Sequence, residues 1–67
     1  MAIQSVATKP DANGGVWTLY WHHDGSAELW HRPAGKPQRC VIGKQIMYQV
    51  RAEMADCGIT EDGWTPA

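Results

Sequence analysis

The clearest structural pattern in this 67-residue chain is VWTLYWHHDGSAELWHR, residues 16–32. Two runs rich in Trp, Tyr, Leu and Thr flank the pair Asp24-Gly25, which is the pattern of a β-hairpin. Three of the four tryptophans of the chain lie in this stretch. A hairpin has only two faces, and a domain of this size buries little surface. We therefore expect part of the aromatic surface to face a partner.

The hairpin has two candidate registers, which differ in the length of the turn. A two-residue turn at Asp24-Gly25 would pair Leu19 with Trp30. A three-residue loop with Gly25 in the left-handed region would pair Leu19 with Leu29. We favour the second register because it gathers apolar side chains on one face: Trp17, Leu19, Trp21, Ala27 and Leu29. The other side of the hairpin is then an open face that displays Thr18, Tyr20, Glu28, Trp30 and Arg32.

The segment after the hairpin predicts one more strand and a helix. Residues 38–42 have the pattern of a short third strand, and Gly43 is a candidate helix N-cap. Gly58 is a candidate helix end, after which Ile59 can pack back on Met54. Apolar residues recur at helical spacing between these glycines: Ile46, Met47, Val50, Met54 and Cys57. The expected core combines both elements: Leu19, Trp21, Leu29, Ile46, Val50 and Met54.

These elements predict the fold class and the domain organisation. We expect an α+β fold, with a three-stranded antiparallel β-sheet (meander) and one C-terminal α-helix packed on one face. Residues 1–15 would be a flexible N-terminal arm or an edge strand. Residues 16–59 would form the ββ(β)α domain, and residues 60–67 a C-terminal tail.

Composition disfavours several functional classes. No apolar run is long enough to span a bilayer, and the N-terminus lacks the features of a signal peptide, so we expect a cytoplasmic protein. Cys40 and Cys57 are expected to be reduced thiols in the core, too far apart for a disulfide. The histidines and cysteines lack the spacing of a zinc site. Motifs for nucleophilic, phosphate or paired-carboxylate chemistry are absent from the sequence, so we expect neither an enzyme nor a cofactor.

The aromatic and basic residues of the hairpin predict a binding function. Trp, Tyr and Arg are enriched at the energetic centres of protein interfaces. We predict a small non-enzymatic module, a protein-binding inhibitor or adaptor of the kind that phages and mobile elements encode. The predicted partner-binding residues are Thr18, Tyr20, His22, Trp30, Arg32 and Arg39.

Charge distribution leaves two further alternatives open. Residues 32–51 contain five Lys or Arg and no acid, which suits nucleic-acid binding together with the open face. The net charge of −1 removes the long-range attraction on which such binding depends. Residues 53–62 contain four acids and no base, so complementary ends could also pair two copies in a homodimer.

One resemblance supports the nucleic-acid alternative. The segment W-x-L-x-W-x-x-D-G, from Trp17 to Gly25, is followed by a second strand and a helix. This order resembles the DNA-binding domains at the N-termini of phage-type integrases and in a class of plant DNA-binding proteins, over about residues 16–57. The resemblance implies DNA contact through a three-stranded sheet. Those domains usually carry several Arg or Lys on the sheet, whereas this face carries Glu28.

Overall fold

A computed structural model describes residues 3–67. They form five antiparallel strands and one helix. The elements are β1 (Ile3–Pro10), β2 (Val16–His22), β3 (Ser26–Arg32), β4 (Arg39–Ile46), α1 (Met47–Asp56) and β5 (Thr65–Pro66). The strand order in the sheet is β4-β3-β2-β1-β5.

The α+β class with one helix is confirmed, and the predicted three-stranded sheet is wrong. The two additional strands come from the segments on either side of the hairpin and helix. β1 pairs with β2 from Ile3 to Pro10, and β5 adds to the far side of β1 at Ala7 and Thr8. Within the described residues, no helix is long and apolar enough to cross a membrane.

The favoured register of the central hairpin is confirmed. Leu19 lies opposite Leu29, and Trp21 lies opposite Ala27. Gly25 has a φ of 85°, and its N–H donates to the carbonyl of His22 at 3.1 Å. Because only glycine adopts this conformation without strain, the three-residue loop fixes which side chains face the helix.

Asp11 organises the turn between β1 and β2. Its Oδ1 accepts the N–H groups of Asn13 at 2.8 Å and Gly15 at 2.7 Å. Its Oδ2 lies 2.7 Å from Nε2 of His31, whose ring stacks on Trp17 with centroids 4.1 Å apart. The hydrogen bond with His31, followed by those from Asn13 and Gly15, holds the pKa of Asp11 below its usual value.

Gly15 lies in the most crowded part of this turn. A Cβ atom there would lie 2.5 Å from Oδ2 of Asp11 and 2.6 Å from the carbonyl oxygen of Arg32. Both distances are shorter than a van der Waals contact, and one of the two atoms is backbone. Glycine is therefore required by the close approach of β3 to the turn.

The predicted boundary between the third strand and the helix is wrong. β4 continues through Gly43 to Ile46, and α1 begins at Met47. The N–H of Met47 donates to the carbonyl of Gly25 at 3.0 Å, which holds the start of the helix against the hairpin loop. The pairing of β4 with β3 shifts register twice, between Ala27 and Leu29 and again between Leu29 and Trp30. These irregularities fit the extra residues of the longer strand into the ladder.

The predicted end of the helix is confirmed. Gly58 has a φ of 77°. Its N–H donates to Ala55 at 3.0 Å, and the N–H of Ile59 donates to Met54 at 2.9 Å. These two bonds form a Schellman motif. Ile59 packs against the core, as the sequence predicts.

The core lies between α1 and the strands β2, β3 and β4. Two predicted members are outside it, since Trp21 is 39% exposed and Ile46 is 63% exposed. Ile46 lies opposite Ser26, on the face away from the helix. Both cysteines are exposed and free, so the prediction of core thiols is wrong. The buried apolar residues are Leu19, Ala27, Leu29, Ile42, Val50 and Met54.

Candidate binding surfaces

The helix packs on β3 and β4 and leaves the neighbouring part of the same sheet face uncovered. This part forms a cavity of about 320 Å³, the helix-side groove. Strands β1 and β2 form its floor, α1 one wall and the C-terminal tail the other. Its lining is mainly apolar: Ala7, Leu19, Trp21, Met47, Met54 and Trp64.

Lys9 holds the tail wall of the groove in place. Its Nζ donates to the carbonyl oxygens of Thr60 at 3.0 Å and Asp62 at 2.7 Å. The indole N–H of Trp64 donates to the same Thr60 carbonyl at 3.2 Å. Trp64 is half-buried and packs against the core. The wall is therefore fixed by polar contacts on one side and by apolar packing on the other.

An ion pair joins the two walls at the rim of the groove. Nη2 of Arg51 donates to Oε1 of Glu61 at 2.8 Å. Both side chains are largely exposed. An exposed pair of this kind contributes little to folding stability. Its two charges can therefore separate at little cost in stability.

The open face is the sheet face opposite the helix, and it holds most of the predicted partner-binding residues. Thr18 and His22 are buried, so they present little surface to a partner. Tyr20 and Trp30 are half-buried, and Arg32 is exposed at the end of β3.

The structure does not bring Arg39 to the open face. Arg39 pairs with His31, whose ring stacks on Trp17 on the helix side of the sheet. Paired residues project to the same side of a sheet, so this register places Arg39 with the helix side. The other predicted residues remain together.

Glu28 is the polar centre of the open face. Its Oε1 accepts the indole N–H of Trp30 at 2.6 Å, and its Oε2 lies 2.8 Å from Nε2 of His22. The hydrogen bonds with Trp30 and then with His22 hold the pKa of Glu28 below its usual value. Sequence reasoning placed Glu28 on this face without assigning it a role. Two features of the sequence indicated such a role. Glu28 is two residues from Trp30 along β3, and it is close to His22 across the hairpin.

The basic segment is partly neutralised within the chain. Nζ of Lys44 lies 3.4 Å from Oδ2 of Asp24, and Arg51 is paired with Glu61. The remaining bases of residues 32–51 are exposed around the connection between β3 and β4. No group of three His, Cys, Asp or Glu side chains in the described chain is arranged to hold a metal ion.

Comparison with known proteins adds no relative. No family model matches the chain, and neither a curated protein nor a solved structure is significantly similar to it. The five-stranded sheet also differs from the three-stranded DNA-binding domains that residues 16–57 resemble.

Proposed function

We propose that this chain is a small non-enzymatic module that binds a protein partner through the helix-side groove, as an inhibitor or adaptor. The observation that supports this most is Trp21, which remains 39% exposed beside an apolar groove that residues 3–67 do not fill. Tryptophan has a large apolar surface, and it is one of the residue types enriched at the centres of interfaces.

The groove fits an apolar side chain that projects from a partner segment. Its volume of about 320 Å³ is at the small end of the range for small-molecule pockets, roughly 300–1,000 Å³. Met47 and Met54 supply flexible, polarisable walls that adapt to different shapes. At the rim, Arg51 and Glu61 can exchange their ion pair for charges on the partner. The expected partner segment has a bulky apolar residue next to charged ones.

The competing functions are weaker on physical grounds. The net charge of −1 and the internal pairing of Lys44 and Arg51 reduce the attraction for nucleic acid. A second copy of this chain is the competing protein occupant of the groove. Cys40 and Cys57 are exposed and free, which fits a reducing compartment, and we place the protein in the cytoplasm. Phage or mobile-element origin stays a prediction from the size of the chain.

A peptide-display selection on the full chain tests the proposal. The decisive variant is Ala7→Phe, which fills the groove from its floor at a half-buried strand position. The matched control is Trp30→Ala, on the opposite face of the same sheet. We expect the selected peptides to contain a large apolar residue. They should lose about tenfold or more in affinity for Ala7→Phe and keep their affinity for Trp30→Ala.

Four outcomes would overturn the proposal. The first is a selection that enriches no peptide. The second is loss of binding in Trp30→Ala but not in Ala7→Phe, which would assign the site to the open face. The third is tight, steeply salt-dependent binding of duplex or single-stranded DNA or RNA, together with no enriched peptide. The fourth is a dimer in sedimentation that Ala7→Phe dissociates, which would make a second copy the occupant.

A further inference from the structure

The open face contains a second hollow, separate from the helix-side groove. It has a volume of about 350 Å³ and is lined by Ile3, Tyr20, Glu28, Trp30 and Gln38. We call it the aromatic pocket. Its walls are two aromatic rings and its polar group is a carboxylate, whereas the helix-side groove is lined mainly by apolar side chains.

The two rings of the aromatic pocket lie on diagonal positions of the hairpin. Tyr20 is opposite Glu28, and Trp30 is opposite Thr18. Diagonal positions on one face are about 7–8 Å apart at the backbone, which is within reach of aromatic side chains. Tyr20 and Trp30 do not form a stacked pair in the described structure. A cation held within about 6 Å of both ring centres would be in the range of cation–π attraction.

Hydrogen bonds hold Trp30 and Glu28 in place before any ligand arrives. The indole N–H of Trp30 donates to Oε1 of Glu28 at 2.6 Å. The other carboxylate oxygen of Glu28 lies 2.8 Å from Nε2 of His22, which is only 2% exposed. The side-chain amide of Gln38 donates to the hydroxyl of Tyr20 at 3.4 Å. A site ordered in advance loses less conformational entropy when it binds.

The charge of the pocket suits a cation. The carboxylate of Glu28 is partly exposed, and each of its oxygens retains acceptor capacity after one hydrogen bond. Lys44 is the nearby cation on β4, and its Nζ lies 3.4 Å from Oδ2 of Asp24, which offsets its charge. Arg32 lies beyond Trp30, at the end of β3. The negative charge thus lies beside Trp30 and across the hairpin from Tyr20, and Lys44 is close enough to contribute to the lowered pKa of Glu28.

We infer that the aromatic pocket binds the alkylammonium group of a methylated lysine side chain on a partner protein. Methylation suits this pocket because an unmodified ammonium is strongly hydrated and loses more of its hydration on entering a site. A trimethylammonium group is bulkier and contacts both ring faces. The inference does not depend on the helix-side groove, since the two sites lie on opposite faces of the sheet.

Two matched pairs of probes test the inference on the full chain. The first pair is choline and 3,3-dimethyl-1-butanol, which replaces the charged nitrogen by carbon. The second is a short peptide with trimethyl-lysine and the same peptide with lysine. The readout is the NMR shift of the Trp30 indole N–H. We expect both trimethylammonium probes to shift it, and the methylated peptide to bind about tenfold more tightly than the unmodified one.

Two variants distinguish a cation–π contact with the ligand from simple burial of the ligand in an apolar hollow. Trp30→Leu keeps an apolar side chain without the aromatic ring, and Glu28→Gln removes the charge. Each should reduce the affinity for the methylated peptide by about tenfold, read from peptide fluorescence anisotropy. Ala7→Phe, which fills the helix-side groove, should leave it unchanged. The comparison of the probe pairs uses the protein without substitutions, so it tests the inference even if a variant fails to fold.

Several results would overturn the inference. Equal binding of choline and its neutral isostere would show an apolar hollow without cation recognition. Equal binding of the two peptides would show a general site for cations. Binding of choline without binding of the methylated peptide would assign the pocket to a small molecule. Absence of any shift at Trp30 with both trimethylammonium probes would show that the pocket binds no such group.

Discussion

Replacing Leu29 by alanine should remove a large part of the stability of this domain. Leu29 is fully buried between the sheet and the helix and lies opposite both Leu19 and Ile42. The substitution removes three carbon groups at about 0.8 kcal/mol each, or about 2.4 kcal/mol. The cavity left behind raises the total loss toward about 3–4 kcal/mol. The strands paired on both sides of β3 prevent the surrounding structure from closing around that cavity. A domain of 67 residues is stable by roughly 3–10 kcal/mol in total.

Urea denaturation followed by circular dichroism measures this effect. At about 1 kcal/mol per molar urea, the midpoint should fall by about 3 M, or the variant should be unfolded in buffer. Ile46→Ala is the matched control, since Ile46 is 63% exposed, and it should shift the midpoint by less than about 0.5 M. A loss below about 1 kcal/mol for Leu29→Ala would refute the position of the core. An equal loss for Ile46→Ala would refute the register of β4.

Three further predictions follow from the turns and the surface. Gly15→Ala should destabilise the chain by more than about 1 kcal/mol in the same assay, whereas Gly43→Ala, where a Cβ meets nothing within 4 Å, should be much milder. Hydrogen bonds from Ser26 lower the pKa of Asp24 from 3.8 to about 2. Its contribution to stability is therefore present above pH 3.8 and is lost as the pH falls through about 2, and Asp24→Asn should remove that part of an acid-unfolding curve. Cys40 and Cys57 are exposed and should both react with a thiol reagent at native conditions. Reaction only after addition of denaturant would contradict their positions.

The hairpin was predictable from the sequence because two independent signals agree there. Asp24 and Gly25 mark the loop, and the opposition of Leu19 to Leu29 selects the register. Their agreement also places Tyr20 together with the other open-face residues of the hairpin. Local sequence was sufficient because every pair between β2 and β3 is made within the 17 residues 16–32.

β1 and the full length of β4 were not predicted from the sequence, for different physical reasons. On β1, the residues that face the helix side are small or polar, such as Ser5 and Ala7, because α1 does not cover that part of the sheet. The apolar alternation of a strand is therefore missing. On β4, two irregularities in pairing break the period of two, and Ile46 continues the helical spacing although it belongs to the strand.

The helix-side groove could not be predicted from any local pattern. It exists because Lys9 bonds to Thr60, a residue 51 positions away. That contact docks the tail and Trp64 beside β1. Neither residue is part of a motif, and their contact depends on the sheet being already formed.

The two edges of the sheet affect how this chain can evolve. β4 is an edge strand with two pairing irregularities and the charges of Arg39 and Lys44, and at the opposite edge the two-residue β5, which ends at Pro66, covers β1 at Ala7 and Thr8. Such edges are poor templates for an added strand. The binding proposed for the helix-side groove is therefore made by side chains and not by backbone hydrogen bonds. Its specificity can then change through single substitutions that leave the scaffold unaltered.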